Sequence, residues 1–369
     1  MRKINYALVT TILLACSNSP NFSDPKSVIE KYYLFQSQEK LEKDYELLAD
    51  TCKEFASLQD FLNFYSGDTL FLTNQYSIQK ITQLPLDPNN PKYRLFEIAY
   101  KIIIPKEKDT INSYTYRSVI NEKGKWKVVW TGNIADAASK MENRMDLKNA
   151  IDAYNKVLKY DPLNGSAFRE IGWCNYRLGN YALALSNAKK TLELSPQDES
   201  NYNLLASIYS SQNNPELAIE NYKKAISMIR YEEEKVYLLS NMVDDYLSLN
   251  KVDDAKETIN QAIKIDSSDT HAWWRKAAIF TKIGNKDSTI ICLEKAVTLD
   301  PMDDYLQCQL YYDLSYQLYS KAKSQETTIE SKQSLIDIAK KNILKALDLQ
   351  SDNVEYKQLL NEINKQNNE

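Results

Sequence analysis

The chain has 369 residues, a formal net charge of −4, 26 Tyr and 7 Gly. Its length suits about two to three domains of roughly 150 residues, and scarce Gly with abundant Leu, Ala, Lys and Glu favours helix. A mildly acidic chain without a Lys/Arg block argues against a nucleic-acid partner; one His and five Cys with no C-x-x-C pair argue against a zinc site, so no metal or cofactor is expected.

Residues 1–20 begin with Arg2 and Lys3, run apolar for 12 residues from Ile4 to Ala15, and turn polar at Ser17-Asn18-Ser19-Pro20. That run is too short to cross a bilayer as a helix and fits a secretory signal. Leu13-Leu14-Ala15-Cys16 resembles the bacterial lipobox, in which a small residue precedes the Cys that is lipidated. The resemblance implies a signal peptide over 1–15, lipidation of Cys16 by palmitate-like acyl chains, and a short linker over 16–22. Acyl chains anchor by withdrawing CH2 groups from water. Ser17 replaces the Asp that resembles an inner-membrane retention signal, which implies an outer-membrane lipoprotein of the cell envelope. No acidic run follows Cys16, which favours the periplasmic side. Cys52, Cys174, Cys292 and Cys308 read as free buried thiols, with a Cys292–Cys308 bridge as the alternative in an oxidising compartment.

The next region, 23–131, starts with Ser23 as N-cap and Asp24-Pro25 opening a helix through Val28, Tyr32, Tyr33 and Phe35. A second helix is expected near Leu41 to Ala49 and a third near Leu58 to Tyr65. After Ser66-Gly67-Asp68 the apolar period changes from 3.6 to 2. Tyr76, Ile78 and Lys80 mark a first strand; Phe96, Ile98, Tyr100 and Ile102 a second; Tyr114, Tyr116, Ser118 and Ile120 a third; and Trp126, Val128 and Trp130 a fourth. Helices followed by an antiparallel sheet form an α+β order. With the last-strand residues Gly124-Lys125-Trp126-Lys127-Val128, this region resembles the NTF2-like cone fold. The cone implies either a pocket for a small ligand or cell-wall fragment, lined by Phe61, Phe64, Tyr65, Phe96, Tyr100, Trp126 and Trp130, or a core that these aromatics fill. Enzymes with this fold place a carboxylate or His inside. Here there is no His, and Glu97 lies on the opposite face from Phe96 and Ile98, so no catalytic residue is expected.

From 132 to 369 the pattern is helical and periodic. Gly165 to Asp198 carries an apolar stripe through Phe168, Ile171 and Gly172, a Gly179-Asn180 stop, a second stripe through Ala184, Leu185, Ala188 and Leu192, and Pro196 at the end. This resembles the tetratricopeptide repeat, with Phe168, Ile171-Gly172, Ala184 and Pro196 in register; Asn175 and Ala188 depart from its aromatic positions. Pro162, Pro196 and Pro301 phase about six repeats, with a capping helix over Val354 to Lys365. The resemblance implies an α-solenoid, a right-handed superhelix of helix pairs, preceded by the small α+β domain.

It also implies an inner groove lined by first-helix residues: Arg169, Trp173, Tyr176 and Arg177; Asn203, Ser207 and Ser210; Tyr237, Ser240 and Asp244; His271, Trp274 and Lys282. Trp, Tyr and Arg join contact area to a polar end, as interface hot spots do. Each residue singly also reads as an ordinary surface or inter-repeat residue. The functional expectation is a non-enzymatic, lipid-anchored envelope scaffold that binds a protein or peptide partner in this groove. The alternative is a small-ligand module using the cone.

Overall fold

A computed structural model describes residues 22–37, 41–54, 56–66, 75–85, 87–104, 109–229, 231–299, 304–324 and 329–366. The expected signal segment, Cys16 and Pro301 lie outside these residues. The chain divides into two compact units, one through Ile208 and one from Tyr209.

In the first unit, helix α1 (Pro25–Ser37) is capped by Asp24. Its carboxylate accepts from the Lys26 and Ser27 amides at 3.3 and 3.0 Å. The cap expected at Ser23 falls one residue later because Pro25, which has no N–H, takes the first helical position. Helix α2 (Leu41–Glu46) ends before Ala49, since the sheet captures the chain there. Val128 donates to the Leu47 carbonyl at 2.9 Å, and Ala49 donates to the Val128 carbonyl at 2.8 Å. A short helix α3 (Asp50–Lys53), absent from the sequence expectation, is held by Glu122, which accepts from the Asp50 amide at 2.8 Å. Helix α4 (Leu58–Ser66) begins with a reciprocal Ser57–Asp60 capping box.

Strands β1 (Gln75–Gln83), β2 (Tyr93–Ile104), β3 (Asp109–Glu122) and β4 (Lys125–Val128) form one antiparallel sheet in sequence order. A register shift interrupts β1–β2 pairing between Ile78 and Lys80. Phe96 pairs with Arg117 and Val119 with Val128, so these residues share one face. That face packs on Val28, Ile29, Tyr32, Tyr33, Phe61 and Tyr65 of the helices. The opposite face, with Tyr93, Leu95 and Ile120, packs on Leu163 and Leu194 at the turns between helix pairs. Both faces are therefore buried, and Tyr116 looks away from the helical layer. Its hydroxyl donates to Glu97 at 3.1 Å and accepts from the Gln197 amide at 3.2 Å.

The helix pairs of this unit are α5 (Gly132–Asn143) with α6 (Leu147–Tyr160), and α7 (Gly165–Arg177) with α8 (Tyr181–Leu194), followed by α9 (Glu199–Ser211), in which the boundary falls. Gly172 sits where an added Cβ would lie 2.7 Å from Leu204 Cδ2 and 3.6 Å from the Ala184 carbonyl. The missing side chain serves both the partner helix and the next pair.

The second unit contains α10 (Pro215–Met228), α11 (Glu232–Ser248), α12 (Val252–Ile265), α13 (Thr270–Lys282), α14 (Lys286–Thr298), α15 (Asp304–Ala322), α16 (Ile329–Leu349) and α17 (Val354–Gln366). Helix α17 packs against the two helices before it. Tyr356 and Ile363 are buried among α15 and α16 residues, and the Tyr356 ring stacks on Tyr312 at 5.1 Å. The turns inside five pairs, from α5–α6 to α13–α14, use a left-handed residue: Met145, Gly179, Asn213, Asn250 and Gly284 all have positive φ. The following amide reaches back to form the wider bond of a Schellman turn, as in Asn180 to Asn175 at 2.8 Å and Asn285 to Phe280 at 2.9 Å. Cys52, Cys174, Cys292 and Cys308 are free and buried, so the alternative Cys292–Cys308 bridge is not formed.

Candidate functional site

In the first unit, Arg169, Trp173, Tyr176 and Arg177 recur along one face of α7, as their spacing requires. The two arginines are engaged within the chain. Arg169 pairs with Asp198 in the following turn and with Glu170 at 3.0 Å. Burial makes Glu170 harder to ionise than an ordinary carboxyl, and Arg169 opposes that. Arg177 meets Glu142 on α5 at 3.0 Å, and the other Glu142 oxygen accepts from the Tyr154 hydroxyl at 3.2 Å. These links tie α7 to its neighbours. Trp173 lies edge-on to Tyr176 at 5.6 Å, and Tyr176 leans on Tyr181 at 5.9 Å. Asn203, on α9, has its side-chain oxygen sealed from solvent without a hydrogen-bond partner.

In the second unit, Tyr237 and Asp244 lie seven residues apart on α11, and His271 and Trp274 lie one turn apart on α13. A continuous polar chain joins three first helices. Asp244 pairs with Arg275 at 3.1 Å, and the Arg275 guanidinium lies over the Trp274 ring at 4.7 Å. Trp274 Nε1 then donates to Asp313 on α15 at 2.7 Å. His271 tilts against Trp274 at 6.2 Å. Burial raises the pKa of Asp244 and Asp313, and the Arg275 charge opposes it in both. Tyr237, Tyr305 and Tyr316 stand 53, 62 and 51 % exposed.

Arg275, Asp313, Tyr305 and Tyr316 were not among the sequence candidates. A signal for Tyr305 was present: Tyr237, His271 and Tyr305 recur every 34 residues. The cone aromatics pack on one another. Phe61 lies 5.1 Å from Trp130 and 4.9 Å from Tyr65, and Phe96 and Trp126 join the same cluster. Tyr100 is half-buried, and the Phe64 side chain lies outside the described residues. Among the described residues, no His, Cys, Asp or Glu group could hold a metal ion, and no helix is long and apolar enough to cross a membrane.

Residues 132–199 match one tetratricopeptide repeat model, and 200–231, 241–269 and 270–302 match another. The chain carries tetratricopeptide repeats over these residues. No curated protein matches. Among solved structures, PilW, described as a widely conserved type IV pilus biogenesis factor, is 13 % identical, with 62 % of this chain and 97 % of that chain covered and a TM-score of 0.50. The APC/C hetero-tetramer Cut9-Hcn1 is 14 % identical over 62 % of this chain and 42 % of that chain, also with a TM-score of 0.50. YrrB, described as a TPR protein with an unusual peptide-binding site, is 16 % identical over 58 % of this chain and 99 % of that chain, with a TM-score of 0.38. For PilW and Cut9-Hcn1, at these identities, the likeness is one of fold.

Proposed function

We propose that this protein is an interaction scaffold whose second unit takes a protein or peptide segment on its first-helix face. The observation that carries the reading is the row of Tyr237, His271 and Tyr305 at one repeat position, above the Asp244–Arg275–Trp274–Asp313 chain. Packing does not require exposed aromatics there, and exposed aromatics beside fixed polar groups are what a partner buries in a hot spot. The polar chain holds α11, α13 and α15 in register, so the face is preorganised. In the first unit the arginines already serve internal ion pairs, which leaves Trp173 and Tyr176 as its remaining aromatic contacts.

Cys16, within the lipobox-like Leu13-Leu14-Ala15-Cys16, supports a cell-envelope location for the scaffold. An outer-membrane, periplasm-facing position belongs to the same reading. The helix-then-sheet order of the N-terminal unit supports its cone-like assignment. Pilus biogenesis, named for the PilW neighbour, is one setting in which such a scaffold would act.

A photo-crosslinking residue placed at Tyr237, Tyr305 or Tyr316 in native cells is expected to capture one discrete partner. The same residue at Glu257 or Lys295, on second helices, is not. Equal capture at both sets of positions removes the proposal. Cys16→Ser is expected to move the protein from the membrane fraction to the aqueous one; unchanged partitioning removes the lipid anchor.

A further inference from the structure

The first helices of the second unit begin in acidic sequence. Tyr231 to Tyr237, Asp266 to His271 and Asp304-Tyr305 together carry Glu232, Glu233, Glu234, Asp266, Asp269 and Asp304. Against these acids stands one Lys or Arg, Lys235, which pairs with Glu232. Glu233, Glu234 and Asp304 are exposed. Glu233 and Glu234 lie one turn before Tyr237 on α11, and Asp304 directly precedes Tyr305 on α15.

The same charge continues along these helices. Asp244 on α11 pairs with Arg275, and Asp313 on α15 accepts from Trp274. Burial, then Glu355 and Asp313, raise the pKa of the Tyr312 hydroxyl on α15. The second helices α10, α12, α14 and α16 instead carry as many bases as acids. The helix dipole accounts for acids in a first turn, but not for exposed aromatics beside them.

Arg275 shows what such a face accepts. Its guanidinium lies 4.7 Å over the Trp274 ring and 3.1 Å from Asp244. Tyr237 and Tyr305 repeat the combination of a ring and neighbouring carboxylates, and both are more than half exposed. An aromatic face attracts a cation, and nearby carboxylates add to that attraction. Charge complementarity therefore selects a cationic partner over an acidic one. Helices α11 and α13 pack directly, and packed helices lie about 8–10 Å apart. A polyproline II segment advances roughly 9 Å every three residues, which matches that step.

We propose that this face binds an extended protein segment with Lys or Arg at about every third residue, its cations seated on Tyr237 and Tyr305 among the acids. The proposal rests on the scaffold reading above and names the chemistry of its partner.

Fluorescence anisotropy of the purified full chain tests it, with a labelled peptide of repeated Lys-Ala-Pro units as the probe. Peptides of Glu-Ala-Pro and Gln-Ala-Pro units are its acidic and neutral counterparts. The Lys peptide is expected to bind saturably, and each counterpart at least about tenfold more weakly. Tyr237→Ser with Tyr305→Ser should weaken the Lys peptide by about tenfold through loss of two cation–π contacts. Glu233→Gln with Glu234→Gln should weaken it by about threefold. Asp253→Asn with Asp254→Asn, on second helix α12, should leave binding unchanged. Equal weakening there means bulk charge attraction and overturns the site. No binding of the Lys peptide, or equal binding of either counterpart, overturns the cationic assignment. A partner cross-linked at Tyr237 that lacks a basic segment also overturns it while the scaffold stands; failure of every cross-link removes the scaffold itself.

Discussion

At the second position of the repeat, counted from residues 165, 199, 236, 270 and 304, the repeats that begin before Ile208 carry Ser166 and Ser200, whereas those after it carry Tyr237, His271 and Tyr305. The packing positions of both sets read alike: Ala184 and Ala188 in one, and Ala255 and Ala262 in the other, are fully buried. The contrast shows how a repeat separates two tasks. Small residues at the helix seam determine that pairs stack. The inner positions are released from packing and can differ. In the first unit they are polar, and Arg169 and Arg177 tie the array together. In the second, a similar tie through Arg275 leaves aromatic rings facing outward.

The largest expected effect separates the units by pH. Asp44 is fully buried with no partner for either oxygen, and burial pushes its pKa from 3.8 up to about 8. In the second unit Asp245 is raised by burial to about 6. An acid harder to ionise in the folded chain stabilises the fold while protonated, and that stability is lost as pH rises from the unfolded pKa through the folded one. At about 1.4 kcal/mol per unit, the loss is on the order of 5 kcal/mol for Asp44 between pH 4 and 8, and about 3 kcal/mol for Asp245 between pH 4 and 6. Hydrogen exchange read in each unit should therefore show the first weakening between pH 6 and 8 while the second does not. Asp44→Asn should flatten that slope. Equal slopes in the two units would erase the distinction.

A smaller effect tests the seam. Gly172→Ala brings Cβ within 2.7 Å of Leu204 Cδ2. Overpacking costs about 1–3 kcal/mol, and the gain in helix propensity returns about 1. A net loss of about 1 kcal/mol in a denaturant melt is expected. A gain would mean that Leu204 yields and that Gly172 is not required for close approach.

The smallest effect on stability concerns the face itself. Tyr237→Ser and Tyr305→Ser make the second unit resemble the first. Stability should stay within about 0.5 kcal/mol, as for most exposed sites. Cross-linking to the partner should nevertheless be lost.

The helix pairs were legible because each is a local object. The 34-residue spacing, the Gly179 and Gly284 stops and the Ala seams lie within one repeat of the sequence. The turns at Met145, Asn213 and Asn250 take the same left-handed backbone without glycine, and Met145 bears no sequence mark of it. The strands were visible through their period of 2, yet that period could not show that both sheet faces are covered. The end of α2 at Glu46 is set by a bond to β4, some 80 residues later in the chain.

The candidate site divides in the same way. Tyr237, Asp244, His271 and Trp274 were found from first-helix register. Their polar chain was not, because Arg275 and Asp313 join different repeats through side-chain geometry. Asp44 had a faint signal: it lies in the stripe of Leu41, Tyr45 and Leu48, where a polar residue is out of place.

The sequence by itself determined the repeat, its period and the helix-then-sheet order of the first region, because propensity, turn chemistry and apolar period act over a few residues. Only the tertiary structure decided which charges are spent on internal pairs and which sheet face meets the repeat turns. Those outcomes depend on distances between residues far apart in the chain, and on burial, which no single residue possesses alone.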